Sequence, residues 1–67
     1  MNGFISLHER KTNTTIFINP EYIVSIKDMR SGNSNFEWTV VTTTRNTYDV
    51  NETGKEICNI ISELNDN

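Results

Sequence analysis

Apolar and polar residues alternate along most of this chain and then change period near its end. Ile5 and Leu7 share one face of a segment at 4–8, and Ile16 and Ile18 share one face of a second at 15–19, with Phe17 opposite. Such alternation predicts half-buried β-strands. The polar stretch 9–14 between them predicts a hairpin loop. Pro20 has no backbone N–H, and Asn19 before it is pushed to an extended conformation and can bond its own backbone in a turn, so the second strand ends there.

A third strand is expected at 22–29, with Val24 and Ile26 on one face and Ile23 on the other. After the loop signal at 31–35, a fourth runs from 36 to 44. Its β-branched and aromatic residues suit a pleated surface. Phe36, Trp38 and Val40 share one of its faces; Glu37, Thr39, Val41 and Thr43 share the other. Arg45-Asn46 predicts a tight turn in which Asn takes positive φ. Strand 47–50 then follows, with Tyr48 and Val50 inward. Thr53-Gly54-Lys55-Glu56 has the form of a capping box. Ile57, Ile60, Ile61 and Leu64 follow at helical spacing, so a helix begins there and ends near Asn65.

These elements predict one α+β domain over 1–67: a small antiparallel five-strand meander with one C-terminal helix packed on it. The pattern leaves open whether the sheet closes into a barrel. A helix of this length is marginal alone in water, so its Ile stripe must lie on the sheet. The Trp38 face matches that stripe and is expected to be core. The opposite face, with Phe17, Ile23 and Val41, is then half exposed or buried in an oligomer.

Composition sharpens this reading. Hydrophobic residues are 34% of the 67, and the shortfall is filled by Asn and Thr rather than by charge. A chain this short buries only roughly 60% of the surface it exposes when unfolded. We therefore expect a second subunit to complete some apolar surface, making a homo-oligomer. Six Lys or Arg stand against nine Asp or Glu, a net charge of −3. That balance lacks the electrostatic footprint of nucleic-acid binding and favours a protein partner. A lone Cys58, no signal-peptide pattern and no membrane-length apolar run lead us to expect a cytoplasmic protein that does not insert into membranes.

Candidate chemistry is sparse. His8 is the single histidine, so no His pair can hold a metal. Cys58 adjoins the helix stripe, where a small buried thiol is the simpler reading than a nucleophile served by His8. Gly3, Gly32 and Gly54 are too scattered for a phosphate loop. The amides near Gly54 could accept an anion, but Thr53 and Glu56 suffice to satisfy them. Glu21, Glu37 and Asp49 have no spacing that would pair them. No catalytic, cofactor or metal residues are expected. The partner-binding candidates are Phe17, Ile23 and Val41 on the spare face, with Tyr22, Met29 and Arg30 beside loops.

The order Ile5-x-Leu7, a polar loop, Ile18-Asn19-Pro20-Glu21-x-Ile23 and Ile26 resembles the short flagellar FlbD-type proteins and related small bacterial and phage proteins. Tyr48-x-Val50 and Glu52-Thr53-x-x-Glu56-Ile57 follow the same pattern. The loops at 9–14 and 31–35 are longer than in that family. The resemblance implies a motility accessory and carries no catalytic residue. The residues themselves favour a non-enzymatic protein-interaction module, for example a phage-encoded inhibitor or accessory protein. A small ligand-binding protein is the remaining alternative.

Overall fold

The computed structural model of the protein describes residues 3–65. The strands are β1 (Ile5–His8), β2 (Thr15–Ile18), β3 (Ile23–Arg30), β4 (Phe36–Thr43) and β5 (Thr47–Val50), followed by helix α1 (Gly54–Asn65). All the strand pairings are antiparallel, and the small α+β fold is the one the pattern predicts. The strands form two sheets, β1-β2 and β3-β4-β5, and do not close into a barrel.

The division falls at Asn19-Pro20. Pro20–Tyr22 forms one 3-10 turn, capped by the Asn19 side chain, which accepts the Glu21 N–H at 2.9 Å. This turn separates β2 from β3, so those two strands never pair. The sheets meet instead through the other end of the hairpin. Glu9 bridges to Val50, the Arg10 N–H donates to the Asp49 carbonyl, and the Asn51 N–H donates to the His8 carbonyl.

The core is small. Ile5, Leu7, Ile18, Val41, Val50 and Ile57 are its buried side chains, with Ile60, Ile61 and Leu64 packed against them from the helix. The predicted helical stripe therefore covers the sheets. At its start the Thr53 hydroxyl accepts the Glu56 N–H at 3.1 Å, and Glu56 accepts the Thr53 N–H at 2.8 Å. This is the reciprocal capping box, satisfying donors that a helix start leaves unpaired.

Two face assignments are corrected. Val41, expected on the spare face, is fully buried, and so is Thr39. The Phe36, Trp38 and Val40 face of β4 points away from the core. The register explains the reversal: Val41 lies opposite Ile26 on one side and Tyr48 on the other, all three in or against the core. Ile23 is the second correction. Val24 is the extra residue of a β-bulge between Ile23 and Ser25, which turns Ile23 to the same side as Ile26 and leaves Val24 67% exposed. Cys58, expected to be buried, is exposed on the helix.

The β4–β5 turn also differs in detail from the expectation. Asn46 does not adopt positive φ. Thr43 holds the turn instead: its hydroxyl donates to the Asn46 carbonyl at 2.8 Å and accepts the Arg45 and Asn46 N–H groups. Among the described residues, no helix is long and apolar enough to cross a membrane.

Candidate functional site

The β1–β2 register sets the surface chemistry of the hairpin. Ile5 pairs with Ile18 and Leu7 with Ile16 on the inner face, so Ser6 and Phe17 pair on the outer one. Phe4 precedes β1 with the parity of Ser6. The short Ser6 side chain leaves both rings uncovered: Phe4 is 64% exposed and Phe17 66%. The 3-10 turn adds Tyr22, 56% exposed. Three large aromatic groups thus stand in solvent around one end of β2.

A groove of about 180 Å³ runs between them, lined by Phe4, Phe17, Tyr22, Tyr48 and, from the β4–β5 turn, Arg45. That volume is below the roughly 300–1,000 Å³ of small-molecule sites, and the groove lies open. A second, shallow hollow lies on the other side of Phe4, between Ser6 of the hairpin and Ile60, Glu63 and Leu64 of the helix. Phe4 is the ridge shared by the two.

The six expected contact residues therefore separate. Phe17 and Tyr22 come together in the groove. Val41 lies in the core and Ile23 packs, half-buried, against it. Met29 lies opposite Trp38 on the outward face of the second sheet. Arg30 is occupied within its own chain, donating to the Ser34 carbonyl at 3.2 Å and pairing with Asp28 at 3.3 Å. Phe4 and Arg45, which also border the groove, are not among the expected contact residues. The parity of Phe4 with Ser6, opposite to Ile5 and Leu7, is the signal that finds the first.

Elsewhere, polar side chains are engaged in holding the elements together. Glu52 accepts the His8 N–H at 3.0 Å and meets His8 Nδ1 at 2.6 Å. Burial would raise the Glu52 carboxyl, but the hydrogen bonds from the His8 side chain and backbone outweigh it and leave its pKa lowered. No hydrogen bond joins His8 to Cys58. On the outward face of the second sheet, the Arg10 guanidinium sits 3.8 Å from the centre of the Trp38 ring, a cation–π contact. The Trp38 Nε1–H beneath is buried without a hydrogen-bond partner. Among the described residues, no group of three His, Cys, Asp or Glu side chains is placed to hold a metal ion.

Compared with protein-family models, with curated proteins and with solved structures, the chain matches none.

Proposed function

We propose that the protein is a non-enzymatic interaction module that binds another protein chain through the face carrying Phe4, Phe17 and Tyr22. The observation that carries this reading is the exposure of three large aromatic groups around one open groove, where six apolar side chains are buried among the described residues. Exposed apolar surface gathered in one place is costly in water and marks contact surfaces, whereas scattered single residues do not. Tyr and Arg are among the residues that dominate binding energy at such contacts, and Tyr22 and Arg45 border the groove. The groove is too small and open to enclose a metabolite, so a protein surface fits it better than a small ligand.

A photo-crosslinking amino acid placed at position 17 in the producing cell tests this directly. The expected result is a covalent adduct with a protein, absent when the same group is placed at exposed Asn33 in the loop between β3 and β4. Equal labelling at both positions, or none at either, would remove the basis for the reading.

A further inference from the structure

The two hollows beside Phe4 carry opposite charges. Arg45 borders one and Glu63 the other. Both are exposed, and neither side chain has a hydrogen-bond or ion-pair partner among the described residues. An exposed aromatic ridge thus lies between an unpaired cation and an unpaired carboxylate.

We propose that the occupant of this face is a second copy of the chain, docked about a two-fold axis at Phe4, with Arg45 of each copy meeting Glu63 of the other. This rests on the reading of the face as a protein contact and names its partner. In an isologous contact the same patch appears on both sides, and the two-fold rotation exchanges its two ends. An axis through Phe4 and across the Arg45–Glu63 direction lays the Arg45 hollow of one copy on the Glu63 hollow of the other. The Phe4 rings meet near the axis, where offset stacking is available to them. The patch is then complementary to itself in charge. An unrelated partner would have to supply a carboxylate and a cation at the same separation, which this chain already carries.

The test is sedimentation equilibrium of the full chain from micromolar to millimolar concentration, with charge reversals at the two rim positions. Wild type is expected to form a dimer. Arg45→Glu and Glu63→Arg should each weaken it by about tenfold or more, because each places like charges together. The double reversal should restore most of the affinity. Both residues are exposed and unpaired in the single chain, so at concentrations where every form is monomeric all three variants should unfold at the wild-type temperature.

A chain that stays monomeric to millimolar concentration overturns the proposal. So does a dimer indifferent to the single reversals, or one that the double reversal fails to restore. A monomer that still crosslinks to a different protein from position 17 would overturn self-association and leave the interaction face standing. A dimer without crosslinks at position 17 would overturn both.

Discussion

Asp28 and Gly54 lie 26 residues apart, yet Oδ1 of the aspartate accepts the glycine N–H at 2.8 Å. The same oxygen accepts the hydroxyl of buried Thr39 at 3.0 Å. One carboxylate therefore joins the third strand, the fourth strand and the first residue of the helix. The approach requires a glycine, because a Cβ at position 54 would lie 2.9 Å from Oδ1 and 3.4 Å from Ile26 Cγ2. Asp28 acts as a helix cap supplied by the sheet, alongside the local Thr53–Glu56 box.

Asp28→Ala should cost about 0.5–2 kcal/mol, the range for a lost N-terminal cap. In a domain of this size that lowers the melting temperature by roughly 4–8 °C per kcal/mol. Gly54→Ala should also destabilise, although Ala is intrinsically better in a helix by about 1 kcal/mol. In the Asp28→Ala background the obstructing oxygen is gone, so Gly54→Ala should become neutral or stabilising. Urea unfolding of the two single variants and the double variant reads the coupling; strict additivity would show that the two residues do not interact.

Acid should unfold the protein through two named groups. The Gly54 N–H is the main cause that holds the Asp28 carboxyl below its ordinary 3.8, outweighing partial burial, with Thr39 and Arg30 adding to it. Glu52 is likewise held below its ordinary 4.5 by His8. Both groups bind protons less readily folded than unfolded. Their contribution is therefore fully present above the unfolded values, and is lost as pH falls through the lower folded values. Urea midpoints measured from neutral pH down to about pH 3 should fall below roughly pH 4.5. Asp28→Asn and Glu52→Gln should each flatten that fall; an unchanged slope in both would refute the assignment.

Trp38 offers an optical probe of the Arg10 contact. Arg10→Ala should uncover the indole, shift its emission to longer wavelength, and cost about 0.5–1 kcal/mol. An unaltered spectrum would mean that the guanidinium does not cover the ring in solution.

The face assignment in the sheets is open to a paired comparison. Val41→Ser places a hydroxyl in the core and removes packed methyl groups, and should cost about 2–4 kcal/mol. Phe17→Ser should change stability by no more than about 1 kcal/mol, the span of strand propensity. The reverse order of effects in thermal unfolding would contradict the observed register.

The local features were legible in the chain because their causes are local. The alternation of Ile5 with Leu7 and of Ile16 with Ile18 placed the hairpin and turned Phe17 outward. Proline chemistry at Pro20 ended the second strand, and the spacing of Ile57, Ile60, Ile61 and Leu64 placed the helix with its Thr53–Glu56 cap. The fourth strand could not be oriented this way, since both of its faces carry residues suited to burial. The pairing of Val41 with Ile26 and Tyr48 selects one of them, and the Val24 bulge turns Ile23 inward by a register shift that alternation does not reveal. Glu52 reaches His8 across 44 residues, and Asp28 reaches Gly54 across 26. Periodicity in the sequence determines which elements form, because it reports each segment's own amphipathic character. Their faces, their long-range polar ties and the shared ridge at Phe4 depend on which segments meet, and only the tertiary structure decides that.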